Sequence, residues 1–322
     1  MARVFVSGGA GFIGSHICER LLILGHEVVC YDNLLTGFKE NIEHLFGTEG
    51  FYFVEGDIRD IGGLQKALSE CTHVCHQAAL GSVPRSVEDP LRTNEMNLVG
   101  SLNLLNEAHR LKIKRFVFAS SSSVYGDNLD MPKVEQKTGK VLSPYAVTKS
   151  AFEDYARVFY HINGIETIGL RYFNVYGPRQ SPEGAYAAVI PIFMDHMKKN
   201  KQPTIFGDGE QTRDFTYVSN AVDANVLALF EEVPDAFGKS FNVACGKTLT
   251  INKIFTMIRD SVNEKIGNVS ATEAIHKPPR SGDIKDSLAD LSEAKRCLGY
   301  NPKVFFSEGI AKTVDWFFKT NR

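Results

Sequence analysis

Short apolar runs alternate with longer amphipathic stretches over the first 173 residues, and few folds are compatible with this rhythm. The apolar runs predict strands at 4–7, 27–31, 51–55, 73–76, 115–120 and 167–171, and the amphipathic stretches predict helices at 12–24, 61–69, 98–110 and 145–161. Alternation of this kind is typical of an α/β protein with a doubly wound parallel sheet and helices on both faces. Such sheets bind ligands at the carboxyl ends of their strands.

The rhythm becomes irregular after Asn174. Helical stretches at 187–199, 221–232, 251–263 and 306–319 are separated by loops rich in glycine and proline. We therefore expect a second, smaller lobe of mixed α/β structure. The predicted main domain covers 1–173 with a return of the chain at roughly 213–245, and the predicted lobe covers 174–212 and 246–322.

Composition argues against several classes of partner. A net charge of −2 provides no field that favours nucleic acid or a membrane surface. No run reaches the roughly 18 apolar residues that span a bilayer. The six cysteines do not suggest a disulfide framework in a chain of this size, and Cys71 and Cys75 lack the second ligand pair of a zinc site. These features predict a cytoplasmic protein without a metal site.

The first predicted strand ends in a glycine-rich turn. Gly8, Gly11 and Gly14 have the spacing GxxGxxG between a strand and a helix, which lets a pyrophosphate approach the backbone at the helix N-terminus. A tight turn without a ligand is the alternative, but Asp32, 18 residues after Gly14, favours the first interpretation. A carboxylate there accepts hydrogen bonds from the adenosine ribose and repels a 2′-phosphate. The pattern predicts a Rossmann-type domain that binds NAD rather than NADP.

A second pattern suggests a reacting centre. Tyr145 and Lys149 are four residues apart on a predicted helix and share one face. A phenol has a pKa of about 10, and a neighbouring ammonium and the positive nicotinamide of NAD favour its ionised form. The pair is a candidate proton acceptor, with a plain surface helix as the alternative. The strand 115–120 ends in serines, one of which can polarise a substrate alcohol; no histidine is placed to make it a nucleophile.

These motifs together resemble the extended short-chain dehydrogenase/reductase family, and within it the nucleotide-sugar 4-epimerases. The resemblance covers essentially the whole chain and includes the glycine turn, Asp57, the strand end at 120–125, the Tyr145 and Lys149 pair, and Arg171-Tyr-Phe-Asn-Val-Tyr-Gly-Pro178. In this family the catalytic hydroxyl stands four residues before the tyrosine of the VYG element. The resemblance therefore implies Ser121, Tyr145 and Lys149 as catalytic residues.

The residues after that hydroxyl indicate the type of reaction. Relatives that eliminate water or carbon dioxide carry a carboxylate there, whereas this chain has Ser122 and Ser123. Elimination then lacks its proton carrier. The resemblance implies an isomerase in which hydride passes from the sugar C4 to NAD and returns to the opposite face of the 4-keto sugar. NAD is regenerated in each cycle and is expected to stay tightly bound. A dehydratase or decarboxylase and a non-catalytic NAD-binding sensor are the alternatives.

The resemblance also implies two sets of binding residues. Those for NAD are Gly8, Gly11, Phe12, Ile13, Gly14, Asp32, Asn33, Asp57, Ile58, Ala78, Ala79, Asn97, Tyr145 and Lys149. Those for a UDP-sugar are Gly81, Ser82, Ser121, Ser122, Ser123, Asn174, Gln180, Ala188, Val189, Thr204, Phe206, Arg213, Arg280, Asp283 and Ser287. In the second set Phe206 would stack on the uracil, and Arg213 and Arg280 would clamp the phosphates. A surface ion pair is the alternative for each arginine.

The choice of sugar rests on side-chain volume near the C2 substituent. Relatives restricted to plain hexoses carry a tyrosine where Ser287 stands, and several carry a lysine where Gly81 stands. Small residues here predict UDP-GlcNAc and UDP-GalNAc as substrates, with UDP-Glc and UDP-Gal poorer. A UDP-uronic acid, UDP-GlcA or UDP-GlcNAcA, is the alternative, because epimerases of these sugars share most of this framework. A C6 carboxylate would need a cation, for which Arg85 and Arg179 are the candidates. By resemblance, the helices at 98–110 and 145–161 pair across a two-fold axis in a homodimer.

Overall fold

The computed structural model describes residues 1–182, 188–267, 273–279 and 285–320. The strands in these ranges are β1 Arg3–Ser7, β2 Glu27–Asp32, β3 Phe51–Glu55, β4 His73–His76, β5 Arg115–Ser121, β6 Glu166–Tyr172, β7 Val175–Tyr176, β8 Thr204–Phe206, β9 Thr212–Asp214, β10 Thr216–Tyr217, β11 Lys239–Val243, β12 Thr248–Thr250 and β13 Ile275–Lys277. A seven-stranded sheet has the order β11-β6-β5-β4-β1-β2-β3, and its neighbouring strands are all parallel. The predicted parallel sheet is confirmed.

The α-helices in the same ranges are α1 Phe12–Ile23, α2 Ile61–Leu68, α3 Val83–Glu88, α4 Pro90–Asn94, α5 Gly100–Arg110, α6 Pro144–Asn163, α7 Val189–Lys198, α8 Val218–Phe230, α9 Ile251–Ile266, α10 Ser292–Leu298 and α11 Phe306–Lys319. The sequence pattern does not predict α3 and α4, which are short. Their signal is capping: Ser82 and Asp89 accept the N–H of Arg85 at 3.2 Å and of Arg92 at 3.0 Å. Within the described residues, no helix combines the length and apolar character needed to cross a bilayer.

Helices cover both faces of the large sheet because its strands point apolar side chains in both directions. In β1, Val4 and Val6 pack in the cluster that contains residues of α1 and α8. Phe5, between them, packs in the cluster that contains residues of α2, α5 and α6. The predicted doubly wound architecture, with helices on both faces, is therefore present.

The smaller lobe is held to the main sheet by a buried carboxylate. Its strands pair as β9 with β12 and β8 with β13, while β11 returns to the main sheet beside β6. Asp214, at the end of β9, accepts backbone N–H bonds from Cys245 at 3.0 Å, Gly246 at 3.0 Å and Ala289 at 3.3 Å. Burial raises the pKa of Asp214 to about 6, and these bonds oppose the rise. Asp214 thus anchors three segments of the chain at the base of the lobe.

Candidate active site

A cavity of about 560 Å³ opens at the carboxyl ends of β1, β2, β4, β5 and β6. Its wall contains most of the residues predicted to bind NAD: Gly8, Gly11, Phe12, Ile13, Gly14, Asp32, Asn33, Ile58, Ala78, Ala79, Tyr145 and Lys149. The wall also contains Gly81, Ser82, Ser121, Asn174, Gln180 and Ala188 from the predicted substrate set. One space therefore adjoins both the dinucleotide turn and the start of α6.

The glycine turn packs backbone directly against backbone. Gly8 has φ +69° and donates its N–H to the Tyr31 carbonyl at 2.8 Å. A Cβ on Gly14 would lie 2.1 Å from the Gly8 carbonyl oxygen, so no side chain fits there. The turn brings the N-terminus of α1 to the cavity, where its N–H groups and dipole favour a pyrophosphate. The shape of this cradle fits the predicted NAD.

The two acidic residues expected near the adenosine have different surroundings. Asp32 is buried and accepts N–H bonds from Ala10 at 3.0 Å and Leu34 at 2.8 Å; burial raises its pKa, and these bonds oppose the rise. Asp57 is not in the cavity wall. Hydrogen bonds from Arg59 lower the pKa of Asp57 to about 2.

Asp57 acts on the cavity through its neighbour. It accepts a hydrogen bond from the Asn33 side chain at 2.8 Å, and Asn33 does line the cavity. The Asp57 carboxylate thus lies between Arg59 and Asn33, where it orients the Asn33 amide. The predicted place of Asp57 beside the adenine stays a prediction.

The three predicted catalytic side chains meet where β5 ends and α6 begins. Lys149 donates from Nζ to the Ala119 carbonyl at 2.7 Å and lies 5.9 Å from the centre of the Tyr145 ring. The Ser121 hydroxyl makes a hydrogen bond with the Tyr145 phenol. Ser143 caps α6 by accepting the N–H of Ala146 at 3.2 Å, which fixes the start of the helix.

The spacing between Tyr145 and Lys149 predicts a lowered pKa for the Tyr145 phenol, whereas the structure gives a raised one. Burial raises the pKa of Tyr145, and the hydrogen bond with Ser121 opposes the rise only in part. Burial lowers the pKa of Lys149 to about 8, and the Glu153 carboxylate acts in the opposite direction. The ammonium is directed at the Ala119 carbonyl, and in the chain alone the pKa of the phenol is above its ordinary value. The positive charge of NAD, when bound, would act to lower that pKa.

The strand-end serines are not equivalent. Ser120 and Ser121 both line the cavity, but Ser120 donates to Glu153, whereas Ser121 accepts the N–H of Ser123 at 3.2 Å. Ser122 and Ser123 begin the 3-10 helix Ser122–Tyr125 and lie outside the wall. The Ser123 hydroxyl is buried and has no hydrogen-bond partner in the described part of the chain. Of the three serines predicted to contact the sugar, the structure thus places Ser121 at the cavity but not Ser122 or Ser123.

A buried ion pair that the sequence reasoning missed lies beneath these side chains. Glu153, one turn after Lys149 on α6, accepts bonds from Arg171 on β6 at 2.7 and 2.9 Å. Arg171 also donates to the Tyr125 hydroxyl at 3.2 Å, and Tyr125 donates to Asn242 at 2.6 Å. The pair joins α6 to the strand ends and so sets the position of the Lys149 helix. The sequence signal for Glu153 is its four-residue spacing from Lys149, which places both side chains on one face of α6.

The side chain of Asn97, also predicted to contact NAD, bonds to the loop beside the cavity. It lies in the π-helix Glu95–Val99 and is 1% exposed. Its Oδ1 accepts the Leu80 N–H at 2.7 Å, and its Nδ2 donates to the Leu80 carbonyl at 3.2 Å. Asn97 therefore holds the loop 78–81 beside the cavity, and its contact with NAD stays a prediction.

A second cavity of about 340 Å³ adjoins the first and shares Asn174, Val175, Gln180 and Ala188 with it. It contains the residues predicted for the nucleotide, namely Val189, Thr204, Phe206 and Arg213. Arg213 donates to the carbonyls of Thr212 at 2.8 Å and Lys285 at 3.1 Å. Gln211 also lines this cavity and donates to the Phe206 carbonyl at 2.7 Å. It is not among the residues predicted from the sequence.

Three other residues predicted to bind the substrate are not found in the walls of these two cavities. Arg280 and Asp283 lie outside the described residues. Ser287 is half-buried and is not in the wall of either cavity. Its neighbour Asp286 accepts a hydrogen bond from Thr212 on β9 at 2.7 Å. The structure brings the predicted cofactor and nucleotide residues together but does not place Ser287 against them.

The parallel sheet, the glycine turn and the Tyr145 helix define a Rossmann-type NAD-binding enzyme. A sequence profile of the NAD dependent epimerase/dehydratase family matches residues 4–244. The chain belongs to this family, and the predicted class, an NAD-dependent nucleotide-sugar epimerase, is confirmed.

Similar proteins cover nearly the whole chain. It is 37% identical over 318 residues to the UDP-glucose 4-epimerase of Mycolicibacterium smegmatis, with 98% of each chain covered. It is 40% identical to the UDP-N-acetylglucosamine 4-epimerase of Methanobrevibacter ruminantium in complex with UDP-N-acetylmuramic acid, with TM-score 0.91 and 99% of each chain covered. It is 32% identical to the UDP-glucuronic acid 4-epimerase of Bacillus cereus in complex with UDP-glucuronic acid and NAD, with TM-score 0.88 and 99% of each chain covered. These proteins are all named 4-epimerases, but for different sugars.

Proposed function

We propose that the chain is a UDP-sugar 4-epimerase that interconverts UDP-GlcNAc and UDP-GalNAc and acts more weakly on UDP-Glc and UDP-Gal. One observation carries the proposal: Ser121 and Tyr145 face the cavity that the glycine turn lines, and the adjoining cavity is lined by Phe206 and Arg213. The first cavity suits a nicotinamide and a sugar. The second offers an aromatic ring and a guanidinium to a nucleoside diphosphate.

Each residue of the site would have its own role in the proposed reaction. Tyr145 takes the proton of the sugar O4 hydroxyl, and Ser121, bonded to the phenol, aligns the same oxygen. NAD, when bound, would supply the reversible hydride acceptor that the reaction needs at C4. Tyr145 then returns its proton to O4 after the sugar has turned. The glycine turn would hold the pyrophosphate, and Asp32 would hold the adenosine ribose.

The space near the proposed sugar supports an acetylated substrate. No heavy atom lies within 4 Å of a Cβ built on Gly81, so that part of the wall is open. Gln180 donates to the Val175 carbonyl at 3.2 Å, and its Oε1 is buried with no hydrogen-bond partner among the described residues. A buried amide oxygen needs a donor, and the N–H of an acetamido group is one.

A lyase reaction lacks a suitable acid. Among the described residues that line the main cavity, Asp32 is the sole carboxylate. It lies at the end of β2, and its oxygens are occupied by the backbone of Ala10 and Leu34. Without a carboxylate beside Ser121, a 4-keto intermediate has no proton carrier for elimination.

A UDP-uronic acid is the second candidate, and Arg85 favours it. Arg85 lines the main cavity, and a guanidinium is a natural partner for a C6 carboxylate. Arg179 does not support a uronic acid substrate, because its guanidinium is 2.6 Å from the Glu19 carboxylate. The acetylated sugar has the stronger support, from the buried Gln180 Oε1 and from the open wall at Gly81.

The deciding experiment incubates the purified chain with UDP-GlcNAc, UDP-Glc and UDP-GlcA in separate samples without added NAD. Products are read by NMR. We expect the fastest C4 inversion with UDP-GlcNAc. Faster inversion of UDP-GlcA supports the second candidate, and a product of altered mass shows a lyase.

A large side chain in place of Gly81 should lower activity on the acetylated sugars more than activity on the plain sugars. Gly81→Tyr is expected to lower kcat/KM for UDP-GlcNAc about tenfold or more relative to UDP-Glc, because the ring fills the open space beside the C2 substituent. Ser287→Tyr tests the same selectivity at the position that the family resemblance indicates. Initial rates on both sugars measure the effect. Equal losses on the two sugars in both variants contradict the pocket assignment.

We further propose that the chain forms a homodimer through α6. Exposed or half-buried apolar residues recur along this helix at Val147, Ala151, Tyr155, Val158 and Ile162, a spacing that places them on one face. The helix α4 packs beside α6 and adds Leu91, which is 79% exposed. An apolar face that spans two helices is typical of an interface between protein chains.

A charge on this face should produce monomers. Val158→Glu and Leu91→Glu are each expected to shift the chain from dimer to monomer, because pairing would bury an uncompensated carboxylate. Light scattering after gel filtration measures the mass. Leu129→Glu is the matched control, since Leu129 is 90% exposed and lies outside α4 and α6. A native chain that is already monomeric refutes the proposed interface.

A further inference from the structure

The segment 174–181, here called the substrate wall, completes the main cavity that begins at the glycine turn. Its residues Asn174, Val175, Gln180 and Ser181 line the cavity together with Gly11, Phe12 and Ile13. The backbone has φ +37° at Asn174 and φ +67° at Arg179. Non-glycine residues adopt such angles where surrounding contacts enforce them, and those sites are often functional.

Contacts from α1, the helix that follows the glycine turn, hold this backbone at Pro178 and Arg179. Arg179 donates to the Glu19 carboxylate at 2.6 Å. His16, three residues before Glu19 on the same helix, bonds from Nε2 to the Pro178 carbonyl at 3.0 Å. His44 adds a third contact, since its Nε2 lies 3.3 Å from the Arg179 guanidinium and 3.6 Å from Glu19. The substrate wall is thus tied to the cofactor helix by side chains that do not line the cavity.

The surroundings keep these groups in the charge states that the contacts need. Burial tends to raise the pKa of Glu19, but the hydrogen bond and charge of Arg179 leave that pKa below its usual value. Burial, and next the charge of Arg179, lower the pKa of His16 to about 4. At neutral pH His16 is therefore uncharged and donates to Pro178, while Glu19 is ionised. The Arg179 side chain is 15% exposed, so solvent screens the pair less than a surface ion pair.

We propose that Arg179 and Glu19 are positioning residues that form a clasp, which holds the substrate wall against the cofactor helix and retains NAD between turnovers. The dinucleotide would lie between the glycine turn and the substrate wall, so it leaves only when the two move apart. An epimerase needs the same cofactor for both hydride transfers, because a chain that releases its reduced cofactor cannot return the hydride. In this respect the proposal rests on the proposed epimerase function.

The test measures NAD dissociation in the absence of any sugar. Protein loaded with NAD is freed of excess cofactor, and NAD that dissociates is reduced by an excess of alcohol dehydrogenase with ethanol and followed by absorbance. Glu19→Gln and Arg179→Gln are each expected to speed dissociation about tenfold, the usual scale of coupling for a paired, partly buried contact. The charge-exchanged double variant, Glu19→Arg with Arg179→Glu, should return the rate to within about threefold of the native value.

The control removes an ion pair of similar chemistry far from the cavity. Arg296→Gln breaks the contact of Arg296 with Glu293 on α10 and should leave NAD dissociation unchanged. Native dissociation rates in both single variants overturn the clasp, and so does a charge-exchanged variant that loses NAD as fast as the single ones. If Arg179→Gln fails to fold, Glu19→Gln decides the question, since Glu19 is partly exposed on α1. No sugar is present, so this result is independent of which UDP-sugar the enzyme prefers.

Discussion

Epimerisation by the Tyr145→Phe variant should be about 10²- to 10⁴-fold slower than by the native chain, because phenylalanine cannot take the proton of the sugar O4 hydroxyl. The ring still fills the same buried space, so the loss should appear in kcat with little change in KM. Rates measured by NMR with UDP-GlcNAc over a range of concentrations give both constants. A smaller loss, about tenfold to a hundredfold, is expected for Ser121→Ala, which keeps the phenol but removes its hydrogen-bond partner.

The control for this prediction is Tyr155→Phe. Tyr155 is on the same helix and lines neither cavity, and phenylalanine keeps its apolar ring, so loss of its hydroxyl should leave kcat at the native value. The NAD content of each purified variant shows whether the cofactor is still bound. A Tyr145→Phe variant that retains native kcat contradicts the assigned proton acceptor.

The second large effect is expected at the glycine turn. Gly14→Ala should weaken NAD binding about 100-fold, because the new Cβ would lie 2.1 Å from the Gly8 carbonyl oxygen and force the turn away from α1. The pyrophosphate would then lose the backbone N–H groups that the turn presents. Titration with NAD and the NAD content of the purified protein measure the change.

Gly62→Ala provides the matched comparison. A Cβ on Gly62 meets its nearest atom, the Asp60 carboxylate, at an ordinary distance of 3.5 Å. Alanine inside α2 should leave NAD binding unchanged and raise the free energy of unfolding by up to about 1 kcal/mol. Native NAD affinity in the Gly14→Ala variant would show that the close approach is not needed.

Strand positions were predictable where the apolar pattern is continuous. The six strands predicted before residue 173 all lie in the main sheet, each within one residue of its predicted bounds. β11 was not predicted, although it completes that sheet. Its run Lys-Ser-Phe-Asn-Val is short and partly polar, and it becomes a strand because β6, which is distant in sequence, offers a free edge.

Motif reasoning identified residues of the site but not their partners. Asn97 and Asp57 are predicted to touch NAD, and the structure adds that their side chains also bind Leu80 and Arg59. An asparagine or aspartate that follows a strand can serve a ligand or the protein's own backbone equally well. Only the position of the neighbouring segment decides between the two.

The amino-acid order alone defined the wound sheet, the dinucleotide turn and the helix that carries Tyr145 and Lys149, because each depends on spacing within one short stretch of chain. The folded chain decided that Ser121, but not Ser122 or Ser123, lines the cavity, how Glu153 and Arg171 support α6, and in which direction burial moves the pKa of Tyr145. These properties depend on groups that are far apart in sequence and meet within a few ångströms, and on how much water they exclude. The local sequence pattern contains no information about these distant contacts or about the exclusion of water.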